Sequence, residues 1–161
     1  MIRDQISRLY GANYFTRLDC VSGFHLIPVA ESSIEQTEFI TPDGQYEFLT
    51  MPFGLKNAIS VFQRAIMKAL GELVYSFVVV YVDDILIISE TMEEGIERIR
   101  TVFEKSTSVG FSLKLTKCSF LKKRIEFLGF EISEGNVKPN QGKIGALKNL
   151  PPSSNVPENY G

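Results

Sequence analysis

Phe77-Val78-Val79-Val80-Tyr81-Val82-Asp83-Asp84-Ile85-Leu86-Ile87-Ile88 is the stretch on which the fold of this chain turns. Two adjacent carboxylates interrupt two apolar runs, 77–80 and 85–88, that are rich in β-branched residues and short enough to be strands. Together they predict a hairpin with Asp83-Asp84 at its tip. Asp is depleted from strands, and an ionised carboxylate among apolar neighbours is costly unless something pairs with it. No Lys or Arg lies between Lys68 and Arg98 to pair locally. A divalent cation is the natural compensator, and it also carries chemistry. On its own the dipeptide reads more readily as a polar turn, where Asp is common.

Working outward, the 161 residues suit one domain, and a hydrophobic content of 44% is enough for a real core. The apolar run around 77–88 is broken by its two acids and falls short of the ~20 residues of a membrane span. The start of the chain, Met1 to Leu9, is polar and charged and shows no signal-peptide core. The net charge of −2 speaks against a dedicated nucleic-acid binder with a basic surface, but leaves a polymerase segment open. Positive charge gathers at Lys114, Lys117, Lys122, Lys123 and Arg124. Cys20 and Cys118 have no metal-site spacing and read as small buried thiols in a reducing compartment.

Tyr14 to Asp19 predicts a strand and Phe24 to Val29 a second, with Gly23 permitting a bend between them. Glu31 to Gln36 reads as a polar, helix-like turn. Thr37–Thr41 and Gln45–Thr50 predict two strands joined by Pro42-Asp43-Gly44. Asn57 is placed to cap a helix to about Leu70, with Ala58, Phe62, Ala65, Ile66, Ala69 and Leu70 on its apolar face and Gly71 ending it. Thr91 and Glu94 form a capping-box pattern for another helix with a stripe of Ile96, Ile99 and Phe103, ended by Gly110. Leu113–Leu115, Ile125–Leu128 and Phe130–Ile132 predict short strands. Beyond Gly135 regular pattern fades, apart from a short helix near Lys143–Leu150. The order of elements favours an α+β fold with helices on one face of an antiparallel sheet.

A third carboxylate, Asp19, ends the first predicted strand. If that strand lies beside the hairpin, Asp19, Asp83 and Asp84 converge at one sheet edge, where three carboxylates can hold two Mg²⁺ ions ~3.5–4 Å apart. Mg²⁺ favours carboxylates plus substrate phosphates over closed protein cages, so few protein ligands are expected.

These residues fall into an ordered set. Leu18-Asp19-Cys20-Val21-Ser22-Gly23-Phe24-His25, Tyr46-Glu47-Phe48-Leu49-Thr50-Met51-Pro52-Phe53-Gly54-Leu55, Asn57-Ala58, Phe62-Gln63, Tyr81-Val82-Asp83-Asp84-Ile85-Leu86, Lys117-Cys118 and Phe127-Leu128-Gly129 succeed one another. Over about residues 5 to 150 the set resembles the palm of retroelement reverse transcriptases, most closely those of gypsy-type LTR retrotransposons. The resemblance implies a polymerase palm: a ferredoxin-like antiparallel sheet with helices on one face, partial fingers and no complete thumb. It implies palm and partial fingers over 1–135, the start of a thumb or connection over 136–150, and a linker or frayed tail over 151–161.

The implied activity is RNA-directed DNA polymerisation, with two Mg²⁺ ions as cofactor and Mn²⁺ as a substitute. Asp19 and Asp83 take metal-ligand roles, with Asp84 as a less directly ligating partner. Phe24 matches an aromatic steric gate beneath the incoming sugar; the plain alternative is core packing. Pro52, Phe53 and Gly54 match a loop against the nucleotide; taken bare, they are a strand-to-helix connection. Asn57, Gln63 and Tyr81 fall on the template and primer side, and Asn57 also reads as an N-cap. Lys117 matches a proton donor to pyrophosphate; a solvated surface lysine is the bland reading. Phe127, Leu128 and Gly129 match a primer grip, or else an apolar strand ending in a turn glycine. His25, the only histidine, reads as structural.

Leu26 stands where the family usually has Gln, and Ile59 where a Pro commonly follows Asn-Ala. Packing near the nucleotide site is expected to differ. Implied partners are a primed RNA or DNA template, deoxynucleoside triphosphates, and the fingers, thumb and RNase H segments of a polyprotein. No membrane partner is implied, and the family works in cytoplasmic virus-like particles. A palm of net charge −2 with little fingers sequence before it is expected to hold primer–template poorly, because duplex affinity rests on basic contacts to phosphates. Two other readings stay open: a non-enzymatic retroelement remnant serving as an interaction module, and another two-metal enzyme such as a nucleotide cyclase.

Overall fold

The computed structural model describes residues 9, 11–21, 23–134 and 136–140. The helix expected near 143–150 and the linker over 151–161 lie outside these residues. The hairpin forms as β4 (Val78–Tyr81) and β5 (Asp84–Ser89), paired antiparallel with Tyr81 opposite Asp84. Its two-residue turn is therefore Val82-Asp83, and Asp84 is the first residue of the returning strand. This corrects the expected Asp83-Asp84 tip by one position. The expected first strand also forms, as β1 (Tyr14–Val21), and it lies antiparallel beside β5 with Asp19 directly opposite Asp84.

Alternation along these strands sorts their side chains between two faces. Leu18, Cys20, Val78, Val80, Ile85 and Ile87 join one apolar cluster, and Phe15, Val79, Leu86 and Ile88 join another. Both faces are covered, which is why the two apolar runs are uninterrupted rather than alternating. The first cluster is closed by α1 (Ala58–Leu70) and α3 (Met92–Ser108), with the short α2 (Leu73–Ser76) leading into β4. Ala58, Phe62, Ile66 and Leu70 recur every fourth residue of α1 and are all buried, as the spacing predicts. Gly71 follows with φ +57, a left-handed stop.

In α3 the expected stripe holds at Ile99 and Phe103, which pack against the first cluster, but not at Ile96. Gly95, Val102 and Ser106 are buried, whereas Ile96 is 46% exposed. The reason is contact at Gly95, where a Cβ would lie 2.5 Å from Leu121 Cδ2 and 2.8 Å from Ser89 Oγ. The missing side chain lets the helix press on the sheet there and rotates Ile96 outward. The capping box forms in part: Thr91 Oγ1 accepts from the Glu94 amide, while Glu94 reaches the amide of Glu90 rather than that of Thr91.

β1 also pairs on its other edge with β6 (Ser112–Leu113) and β7 (Ser119–Lys122). β7, unmarked in the sequence pattern, carries a bulge where Leu121 takes φ +48 and its amide donates to Thr16 Oγ1 at 3.0 Å. The second apolar cluster is covered by a separate antiparallel sheet of β8 (Arg124–Phe127), β9 (Phe130–Ser133) and β10 (Asn136–Pro139). Regular structure thus continues past Gly135, because β10 extends the edge of β9 through backbone pairing that needs no apolar pattern. Helices occupy one face and a small sheet the other, which refines the α+β expectation.

The segment expected as a strand over 24–29 is instead a 3₁₀ turn, Gly23–Leu26, followed by a single bridge from Pro28 to Thr50. Phe24 lies in this turn. Pro28 has no amide to extend a ladder. Further on come two 3₁₀ turns, Glu31–Ser33 and Glu35–Thr37, and the hairpin of β2 (Phe39–Thr41) and β3 (Gly44–Tyr46). Among the described residues no helix is long and apolar enough to cross a membrane.

Candidate active site

Three backbone contacts assemble the acidic edge. The β1–β5 register sets Asp19 against Asp84. The Cys20 amide donates to the carbonyl of Asp83 at 3.0 Å, tying the hairpin turn to β1. The Lys114 amide donates to the carbonyl of Asp19 at 2.9 Å, bringing in the 3₁₀ turn Leu115–Lys117. Asp19 and Asp84 share a face because both alternate with residues of the first apolar cluster, Leu18, Cys20 and Ile85, and so fall on the side of the second; Asp83 is exposed in the turn.

Val82 holds that turn at φ +54, a left-handed value that is strained for a β-branched residue. A positive φ at the first of two central residues is the sign pattern of a type II′ turn, normally given to Gly. Gln63 of α1 stabilises it from below. Its Nε2 donates to the carbonyl of Val80 at 3.0 Å, and its Oε1 accepts from the Val82 amide. Gln63 thereby ties α1 to the hairpin backbone on either side of Tyr81.

Two cations meet the acids. Lys117 Nζ lies 3.6 Å from Asp19 Oδ2, and Arg17 Nε lies 3.6 Å from Asp84 Oδ1. Lys117 is 55% exposed and Asp19 only 18%, so the lysine reaches in from solvent to a sheltered carboxylate. The sequence offered Asp84 no local cation; Arg17 arrives across the sheet, two residues before Asp19 on the same face. Alternation along β1 could have flagged it. Burial raises the pKa of Asp84, Arg17 opposes that, and the charges of Asp19 and Asp83 add to it. Burial first, then Asp19 and Asp83, push the Cys20 thiol up to about 12, so it stays protonated. Both cysteines are free, Cys20 buried and Cys118 half-buried.

Among the described residues no three acidic, histidine or cysteine side chains are already gathered to hold a metal ion. The donors nevertheless suit a hard cation. They are all carboxylates at one partly exposed edge, and Asp19 and Asp83 stand near enough for their charge to help raise Asp84.

Beside Asp83 a groove of about 460 Å³ runs along Phe53, Gly54, Ile59 and Val82. Pro52 is buried and anchors the loop; Phe53 is exposed and meets the His25 ring edge-on at 5.3 Å. Gly54 has φ +94 with open space where a Cβ would point. Ile59, the departure from the family pattern, lines this groove. Asn57 precedes α1, but its side chain makes no capping bond and stays exposed. Tyr81 is exposed opposite Asp84.

Leu128 and Gly129, with φ +52 and +80, form the two-residue turn between β8 and β9 and are half-buried. Phe127 is buried in the second apolar cluster, so it supports the turn rather than presenting a surface. Phe24 is placed only by its backbone, in the turn that leaves β1.

The family model described as reverse transcriptase (RNA-dependent DNA polymerase) matches residues 2–132. The chain is 41% identical over 146 residues to the retrovirus-related Pol polyprotein from transposon 297 of Drosophila melanogaster. It is 38% identical over 146 residues to that from transposon gypsy of the same organism. Each match covers 91% of this chain and 14% of the polyprotein, so the chain spans about a seventh of these relatives. The fold is similar to that of a foamy viral protease-reverse transcriptase in complex with double-stranded DNA. The TM-score is 0.78 and the identity 25%, over 87% of this chain and 24% of that one. The sheet with its acidic edge is a polymerase palm, and the chain belongs to the reverse transcriptase family, as a segment of gypsy-type LTR retrotransposon kind.

Proposed function

We propose that this chain carries the catalytic edge of an RNA-directed DNA polymerase that adds deoxynucleotides to a primer 3′-hydroxyl by two-metal phosphoryl transfer. The observation that carries the reading is the meeting of Asp19, Asp84 and the Val82-Asp83 turn beside the Phe53–Gly54 groove. Asp19, Asp83 and Asp84 would hold two Mg²⁺, which when bound supply charge neutralisation for the attacking and leaving oxygens. The apolar groove supports binding of a nucleotide base or sugar, with Gly54 allowing close backbone approach. Lys117, with one end at Asp19 and the rest in solvent, is placed to meet the departing pyrophosphate, as proton donor or charge screen. The Leu128-Gly129 turn would position the primer end, and positioning is a large part of phosphoryl transfer. Phe24 would act as the gate against a 2′-hydroxyl.

Primer extension on RNA and DNA templates with Mg²⁺, comparing wild type with Asp83→Asn, tests this. Extension lost in the variant supports the reading. Binding of primer–template with no extension by wild type would favour the interaction module. That reading draws support from Arg17 and Lys117, which neutralise two acids without a metal.

A further inference from the structure

We propose that Arg17 is a positioning residue, a built-in counter-cation that holds Asp84 until a divalent ion displaces it. The inference rests on the polymerase reading of the acidic edge. Arg17 touches two elements at once. Its Nε is 3.6 Å from Asp84 Oδ1, and its Nη1 donates to the carbonyl of Glu126 in β8 at 3.3 Å. Glu126 immediately precedes Phe127 and the Leu128-Gly129 turn, so one guanidinium joins the acidic edge to the hairpin that would carry the primer end. The planar fork separates its donors, so Nε faces the carboxylate while Nη1 meets a carbonyl on another sheet; a lysine ammonium carries its three donors on one nitrogen.

The grip on Asp84 is incomplete. Arg17 Nε is buried yet makes no hydrogen bond, since its carboxylate partner stands beyond bonding reach. A buried donor left unsatisfied beside an acid describes a contact that can be exchanged, not a closed structural pair. Asp84 is also 36% exposed, so an incoming ion can approach it from solvent. Asp19 has its own cation in Lys117 at 3.6 Å, which leaves Asp84 as the carboxylate that Arg17 pairs.

The test is a Mn²⁺ titration followed by water-proton relaxation, in high salt so that distant charges are screened and only contact competition remains. Wild type, Arg17→Gln, Arg17→Lys and Asp83→Asn are compared. Arg17→Gln is expected to bind Mn²⁺ roughly fivefold more tightly: removing a unit charge about 4 Å from a divalent ion is worth roughly thirtyfold in water, and the high salt screens part of it. Arg17→Lys, which keeps the charge but not the fork, is expected to tighten binding by a smaller factor of roughly two. Unchanged or weaker binding in Arg17→Gln overturns the proposal; should that variant not fold, the same result in Arg17→Lys does so. If wild type binds Mn²⁺ and Asp83→Asn does not, while both Arg17 variants match wild type, the polymerase reading stands and the role of Arg17 falls. If wild type binds no Mn²⁺, the metal reading fails and this inference fails with it.

Discussion

The two faces of the β4-β5-β1 sheet are built from alternate residues of the same strands, yet they are finished differently. The helix-side face is sealed. Phe62 and Ile66 of α1 and Val102 of α3 are fully buried over Leu18, Val78, Val80, Ile85 and Ile87. The opposite face is apolar only at one end, where Phe15, Leu86 and Ile88 lie under the β8–β10 sheet. Two residues further along β1 it turns polar at Arg17, and two further on acidic at Asp19. Sealing a face yields stability; leaving one end uncovered exposes charge that a substrate or ion can reach. The second sheet is short enough to cover the apolar end and stop at Arg17, where its Glu126 carbonyl receives the guanidinium.

If this contrast is right, substitutions on the sealed face should act on stability and those on the open end on chemistry. Phe62→Ala is expected to cost about 3–5 kcal/mol of unfolding free energy, read from urea denaturation. A loss below about 1 kcal/mol would mean that the helix face is not the packed one. Asp83→Asn, in a turn exposed to solvent, is expected to leave stability nearly unchanged. Primer extension should fall by more than about 100-fold, since groups one step further from a metal already cost about 10- to 100-fold.

Gln63→Leu sharpens the comparison because Gln63 reaches from the sealed face to the active turn. Loss of its two backbone bonds should cost about 1–3 kcal/mol. Extension should fall as well, because the strained Val82 turn loses its support. A variant with lowered stability and full activity would show that the two faces are uncoupled.

The smallest effect is a pH dependence. Burial raises the pKa of Asp84 from its ordinary value. The fold therefore favours its protonated form, a contribution present in acid and lost as pH rises through the raised value. Asp84→Asn removes that titration. With chelator present, the stability difference should move in favour of the variant as pH rises from the ordinary carboxylate value through the raised one. A difference independent of pH would mean that Asp84 titrates alike folded and unfolded.

Much of this was legible in one dimension because it depends on local period. The i, i+4 spacing of Ala58, Phe62, Ile66 and Leu70, the two β-branched runs and the Thr91–Glu94 cap each state their own structure. What misled was either set by partners or too short to carry a period. Ile96 matched a helical stripe, but Gly95 took the contact. β7 and β10 are edge strands whose alternation is weak, so backbone pairing made them. The turn moved by one residue because register with β1, not turn propensity, chose Val82-Asp83.

The sequence by itself determined the palm elements, the acidic pair and its candidate partner Asp19, because an ionised group among apolar neighbours is conspicuous on energetic grounds alone. Only the tertiary structure decided who answers that charge. Arg17 and Lys117 are far from Asp84 and Asp19 along the chain or on its other strands, and a 3.6 Å ion pair exists only once antiparallel register and the Lys114–Asp19 backbone bond have brought them together. Coulomb energy depends on distance in space, and that distance is a property of packing rather than of order along the chain.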